Sequence, residues 1–313
     1  MTKTMDSSLA FLVSQLDALD SKLYEPLYNV TWGRDIKLRS GVGFGHESTS
    51  FTRVNYGTMG TVTAGGMPFI ADNATTLNNV TVNGERVVLP MRLLGLELAY
   101  SSVELDRSQL LGTSIDTQKF NALNTAYQMA TDRMVYVGTD EVTTGGSAVG
   151  GLVNNSAVAV SPTTKAWATA TADEILQDIN NAIETSWKST GYAVCPNKIL
   201  LPPEKFAFIS SKRVGDAGNM SVLTYIEENS IALRVNGSKI DIKPVKWLSD
   251  AGVGKTTRMV VYTNEEDKVR FPMVPIRREA TYNKGINFIA PYIWAFGEVE
   301  FVYPETALYV DGI

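Results

Sequence analysis

From Asp116 to Val137 the chain repeats its apolar side chains at helical spacing for about 22 residues, and then it meets a glycine. Phe120, Leu123, Tyr127, Ala130 and Met134 share one face, Asp116 stands where an N-cap belongs, and Gly138 can end the last turn. At ~1.5 Å per residue this predicts a rod of ~33 Å, and the rest of the chain has to be arranged along it. The stretch GTDEVTTGGSAVGGLVNNS at 138–156 then opens a connector rich in Gly, Thr and Ser that runs to residue 170. A second helix follows, signed by the capping box Thr171-Ala172-Asp173-Glu174 and a stripe of Ile175, Ile179, Ile183 and Trp187, with Gly191 to stop it.

Before the rod lies a segment of odd composition. From Val54 to Gly84 the only charged residue is Asp72, amid many Thr, Asn and Gly. Disordered linkers are hydrophilic and charged, so this stretch reads as ordered and in need of cover. Asn83-Gly84 between Val80-Thr81-Val82 and Glu85-Arg86-Val87-Val88-Leu89 is a type I′ turn signal, and 45–102 reads as a long β-hairpin excursion. Residues 1–44 read as an arm. An amphipathic helix on Leu9, Leu12, Val13, Leu16 and Leu19 leads into an aromatic stretch containing Tyr28 and Trp32. No basic region precedes that helix, so it does not read as a signal peptide, and no run approaches the ~18 apolar residues of a membrane span.

Beyond residue 190 the pattern predicts a strand at Lys198–Leu201 and helices at Pro203–Ser211 and Leu223–Asn229. Val260–Thr263 and Lys268–Phe271 read as a hairpin with the acidic tip Asn264-Glu265-Glu266-Asp267. The segment 298–303 alternates like a strand.

Several chemistries are excluded by counting. Among 313 residues Cys195 is the only cysteine and His46 the only histidine, so no intrachain disulfide and no Cys/His zinc site can form within one chain. The net charge of −5 argues against a dedicated nucleic-acid binder, which carries a basic face. Charged residues make up 19%, below the ~25% usual for soluble domains, which suggests that part of the surface is not meant for water.

Four motifs invite a sharper function. Ala251-Gly252-Val253-Gly254-Lys255-Thr256-Thr257 ends like a phosphate-binding loop, but Ser249 stands where its first glycine should be, and the residues after Thr257 favour a strand over the required helix. A turn is the better reading. Cys195 beside Val194 and Pro196 reads as a buried thiol rather than a nucleophile served by His46. Asp140-Glu141 and Glu265-Glu266-Asp267 read as solvated turns rather than a cation site. Tyr282, Phe288, Tyr292, Trp294, Phe296, Phe301 and Tyr303 lack interleaved Arg and Lys, so they read as strand core rather than a base-stacking platform.

The order of segments, with Gly150-Gly151-Leu152-Val153-Asn154 after the long helix and REATYNKGINFIAPYIWAFGEVEFVYPETALYVDGI at 278–313, resembles the major capsid proteins of tailed bacteriophages. The resemblance implies the α+β fold of the Hong Kong ninety-seven type. It divides the chain into an N-terminal arm (1–44), an E-loop hairpin (45–102), a P-domain with the spine helix (103–165), an A-domain (166–266) and C-terminal strands completing the P-domain (267–313). It further implies pentamers and hexamers of this one chain in an icosahedral shell around double-stranded DNA, held without sequence-specific contacts. A portal protein, and scaffolding or cementing proteins, are its expected partners. The location implied is the virion capsid, assembled in the host cytoplasm, with no enzymatic activity, cofactor, metal or membrane. The residues expected at the assembly interface are Tyr28, Trp32, Met67, Pro68, Phe69 and Ile70. An encapsulin-like compartment is the rival of the same fold, and a P-loop nucleotide hydrolase the rival of another class. Some relatives join an E-loop lysine to a neighbour's asparagine, but no lysine lies between Lys37 and Lys119, so a non-covalent shell is expected. No long charged helical segment precedes the arm, so no fused scaffolding domain is expected either.

Overall fold

The computed structural model describes residues 28–59, 72, 75, 79–104, 106, 115–139, 149–163, 165–215 and 220–313. In chain order the elements are a short helix α1 (Trp32–Asp35) and strands β1 (Lys37–Leu38), β2 (Ser48–Met59), β3 (Asn79–Pro90) and β4 (Arg92–Ser101). The long helix α2 (Ile115–Tyr136) leads to β5 (Gly138–Thr139), β6 (Val149–Gly150) and β7 (Ala159–Pro162). Next come α3 (Ala172–Ser189), β8 (Lys198–Leu201), α4 (Pro203–Ser211), α5 (Val222–Asn229), α6 (Ile231–Asn236) and β9 (Asp241–Pro244). The chain continues through β10 (Arg258–Tyr262), β11 (Val269–Phe271), β12 (Met273–Arg278), β13 (Tyr282–Lys284), β14 (Asn287–Phe296), β15 (Glu300–Phe301) and β16 (Ala307–Asp311).

A five-stranded mixed sheet, in the order β7-β16-β10-β8-β9, separates two apolar cores. Strand side chains alternate between faces. Ile199, Leu201, Met259, Val261, Leu308 and Val310 therefore join the helices α3 to α6 on one side. Leu200, Val260, Tyr262 and Tyr309 face the other side, towards the end of α2 and the closing strands. Both faces are covered, which is why these strands read as unbroken apolar runs. Helix α3 docks through Ile175, Ile179 and Ile183, all fully buried, and its Thr171–Glu174 capping box is formed. A strand buried on both faces and paired on both edges has no room for the hairpin expected at 260–271. β10 pairs with β8 and β16, while β11 pairs with β1 and β15. Asn264 and the acidic residues 265–267 instead carry the chain from one sheet to the other.

Helix α2 spans the predicted residues within one position at each end. The cap expected of Asp116 falls on a side chain outside the described residues. Leu123, Tyr127 and Met134 are buried as their spacing requires, whereas Phe120 is exposed, its ring 6.1 Å from that of Tyr292 on β14. The last turn is buried except at Arg133, with Thr131, Asp132, Val135 and Tyr136 inaccessible, because that end enters the body of the protein. Its free carbonyls are taken by the glycine motif. The N–H groups of Leu152 and Val153 donate to Val135 and Tyr136 oxygens at 2.8 and 3.0 Å. Asn154 braces the turn, accepting from the Gly151 N–H at 2.7 Å and donating to the Val137 oxygen at 2.8 Å. A Cβ on Gly151 would lie 2.2 Å from the Tyr136 oxygen, so only glycine lets the two backbones meet this closely.

The remaining body sheet pairs β14 with β12 and β13 on one edge and with β4 on the other, in ten consecutive register pairs. This corrects the hairpin excursion predicted over 45–102, because 92–101 belongs to the body. What remains is a ribbon of β2 and β3 paired over twelve positions. Asn83 and Gly84 are not its turn. They lie inside β3 opposite Asn55 and Val54, since a strand with twelve continuous partners outcompetes a three-residue local hairpin. The closing strands also divide. Residues 269–301 pack with α2, but 307–311 is a central strand of the five-stranded sheet, so 267–313 does not act as one unit. The aromatic set splits likewise: Trp294, Phe296 and Phe301 are core, while Tyr282, Phe288 and Tyr303 are exposed.

Candidate functional site

Two buried carboxylates fix where the arm meets the body. Asp132, on the buried face of α2, accepts from the Thr31 and Trp32 N–H groups at 2.9 and 3.2 Å, which caps α1, and from Trp247 Nε1 at 2.8 Å. Asp35, with no exposure, takes both prongs of Arg34 at 2.7 and 2.8 Å and lies 3.1 Å from Lys198 Nζ. The Tyr136 hydroxyl donates to Asp35 as well, and Tyr262 donates to its backbone oxygen at 2.5 Å. Burial and the neighbouring Asp35 charge push both phenols far above their ordinary range, so they remain donors at any working pH. Removing one member of such a set leaves a buried charge unpaired, at a cost of ~3–5 kcal/mol.

From this junction the chain enters the ribbon, which belongs to none of the body sheets. Its described surface carries Val54, Val82 and Val88 exposed, and on the neighbouring β4 Leu93 is 67% exposed. A two-stranded ribbon is marginally stable by itself. Apolar residues on its surface add to the case for a partner.

Of the expected interface residues, Tyr28 is exposed at the start of the described chain. Trp32 is half-buried against the main core, and its Nε1 donates to Gln128 on α2 at 3.1 Å. The structure thus uses much of Trp32 within the chain. Met67, Pro68, Phe69 and Ile70 lie outside the described residues. The helix expected over residues 9–19 and the Asp140-Glu141 pair lie outside them too.

Asp35, Asp132, Lys198 and Glu300 carry no recognisable motif. Their signal is a charge set inside an apolar stretch: Lys198 opens Lys-Ile-Leu-Leu, Glu300 sits between Val299 and Phe301, and Asp132 shares the helix face with Val135. A charge in such a place must be paired, but sequence does not say with what.

Among the described residues, neither of the enzymatic motifs weighed in the sequence is assembled into a site. The loop at 251–257 leads straight into β10, so no helix N-terminus is offered to a phosphate, and Lys255 sits exposed in a left-handed turn at φ 61°. Lys255→Ala should shift stability by less than ~0.5 kcal/mol. ATP titrated into the wild-type chain should give no binding heat, and micromolar binding lost in the mutant would reverse that assignment. Cys195 is buried, its thiol pushed up by burial, and its sulfur contacts the Pro196 oxygen, whereas exposed His46 bonds only to Gly43. Among the described residues no group of three His, Cys, Asp or Glu could hold a metal, and no helix is long and apolar enough to cross a membrane.

Comparison with known proteins places these features in context. A family model described as major capsid protein matches residues 66–313. Among solved structures, the capsid of Myoviridae phage XM1 superposes with a TM-score of 0.78 at 18% identity, covering 96% of this chain and 98% of that one. A structure of Mycobacterium phage Bobi gives 0.61 at 14% identity over 97% of each chain. The capsid of an empty GTA particle gives 0.56 at 11% identity, covering 96% and 97%. No curated protein matches.

Proposed function

The chain belongs to the major capsid protein family, and on that premise we propose that it builds an icosahedral phage head from pentamers and hexamers of itself, around double-stranded DNA. The observation that carries this reading is the β2/β3 ribbon, a twelve-pair hairpin outside every body sheet, with valines on its surface and a nearly uncharged continuation through Gly84. Such a ribbon acquires its missing cover from a neighbouring subunit. Obligate interfaces of this sort bury ~2,000–5,000 Å².

In this assignment the ribbon, ending at Pro90 rather than 102, is the E-loop, and α2 is the spine of the P-domain. The five-stranded sheet with α3 to α6 is the A-domain, which takes in β7 and β16 as well as residues 166–266. Tyr28 and the Met67-Pro68-Phe69-Ile70 run lie at the contacts. The subunit is structural, without catalysis, cofactor or metal, and is assembled in the host cytoplasm before taking its place in the virion. DNA is enclosed without sequence-specific contacts, in keeping with a net charge of −5. A portal, and scaffolding or cementing proteins, complete the head.

Expression of the full chain, followed by negative-stain microscopy, should show rings, tubes or closed particles. Boiled in detergent, they should release single chains of 34.2 kDa, because no lysine is available between Lys37 and Lys119. A monomer that persists at high concentration across salt conditions, with a scaffolding partner present, would sink the proposal. A covalent ladder would overturn the non-covalent contact.

A further inference from the structure

We propose that Glu300–Val302 is a socket that locks the direction of the ribbon, with Arg39 and Arg53 as the two side chains that engage it. Glu300 has no side-chain exposure, and its carboxylate oxygens accept from Arg39 Nη1 at 2.5 Å and from Arg270 Nε at 2.6 Å. Arg39 reaches the ribbon at the same time, donating Nη2 to the backbone oxygen of Ser50 at 3.1 Å. Its own N–H is held by the Phe271 oxygen at 2.9 Å, so it is fixed to the body at both ends. Three residues further along β2, Arg53 donates Nε to the Val302 oxygen at 3.0 Å and Nη2 to the Phe301 oxygen at 2.9 Å.

Consecutive residues, β15 and the Val302 that follows it, thus hold two points of the ribbon, separated by ~10 Å at ~3.3 Å per residue. One point would make a pivot. Two points fix an angle. The rigid, forked guanidinium suits this task, because each head delivers two hydrogen bonds in a set plane, which an ammonium on a flexible stem does not. Glu300 is the foundation of the socket: a carboxylate buried this fully needs both of its arginines as partners. Without these contacts the ribbon would lose both side-chain ties to the body, and its two chain ends, clipped to each other by the Met91 N–H and the Glu47 oxygen at 2.9 Å, would act as a hinge.

The socket makes the ribbon a rigid lever rather than a flap. Only the purpose of the lever, contact with another subunit, rests on the function proposed above. The test is amide hydrogen exchange on unassembled full-length subunits, comparing the native chain with Arg39→Gln/Arg53→Gln. Exchange in 48–54 and 84–90 should accelerate at least ~10-fold on loss of the two-point hold, while 198–201 and 258–262 stay unchanged. The double lysine variant should behave like the glutamine one, since charge without the fork does not engage the socket. Should the double variant fail to fold, Arg53→Gln alone leaves Glu300 paired and is read in the same way. Ribbon exchange that does not change, ribbon amides unprotected in the native chain, or equal acceleration in 258–262 would each overturn the lock. Because the measurement uses single subunits, it stands or falls independently of whether the chain forms shells.

Discussion

Phe69→Asp together with Ile70→Asp should leave a soluble, folded subunit that no longer closes into particles. Between Val54 and Gly84 the chain carries one charge, Asp72, and the Met67-Pro68-Phe69-Ile70 run is its most apolar part. On the function proposed above, a segment so poor in charge takes its cover from a neighbouring subunit. Buried against a neighbour, each new carboxylate without a counter-ion costs several kcal/mol. At ~3 kcal/mol per contact, pairwise association weakens on the order of 100-fold, and a closed shell repeats that loss at every contact. Microscopy should show no closed particles, and the thermal midpoint of isolated subunits should stay near that of the native chain. Normal particles would refute the contact. A large fall in the midpoint would mean that the run serves folding instead of assembly.

The opposite separation is expected for Gly151→Ala, which should damage the subunit itself before any assembly. The added methyl would lie 2.2 Å from the Tyr136 oxygen and 2.4 Å from its carbonyl carbon. Neither atom can yield easily, because that oxygen accepts the Val153 N–H and the Tyr136 side chain is locked on Asp35. Overpacking against side chains costs ~1–3 kcal/mol, and against fixed backbone the cost should reach at least ~3 kcal/mol. Urea unfolding of unassembled subunits should show the midpoint falling accordingly, with the chain recovered largely in the insoluble fraction. Unchanged stability would mean that the helix end and the 150–154 turn separate more readily than their hydrogen bonds imply.

Helices α2 to α5 were legible because their information is local, whereas the short α1 and α6 carry too few residues to show a period. The Thr171 capping box sits within one turn and the Ile175, Ile179 and Ile183 stripe within about three turns, and both are where the pattern put them. Strand existence was legible for the same reason at 198–201 and 258–262. Strand partners were not. Nothing near Val260 announces that both of its edges are taken by residues some 50 to 60 positions away, and Asn83-Gly84 has turn chemistry that tertiary pairing overrides. Phe120 had the right spacing but lies too near the free end of its helix to be covered. The junction carboxylates and the arginine socket were hidden more deeply. Charges ordinarily signal solvent, and only the fold brings Asp35 to Lys198 or Glu300 to Arg39.

The position of β16 bears on the order of events while the chain is being made. This strand, 307–311, lies inside the five-stranded sheet between the edge strand β7 and β10, and its Leu308, Tyr309 and Val310 reach into both cores. Strand β8, two places along, is synthesised more than 100 residues earlier. At ~5–20 residues per second, the ribosome holds the sheet open for on the order of ten seconds after its first strands emerge. Long-range pairing of this kind is slow in any case. Through that interval β10 lacks one neighbour, β7 cannot join, and the Arg258 side chain waits for Asp311. A nascent subunit therefore cannot offer a finished body to its neighbours before translation has passed residue 311, which confines self-association to chains whose sheet can close.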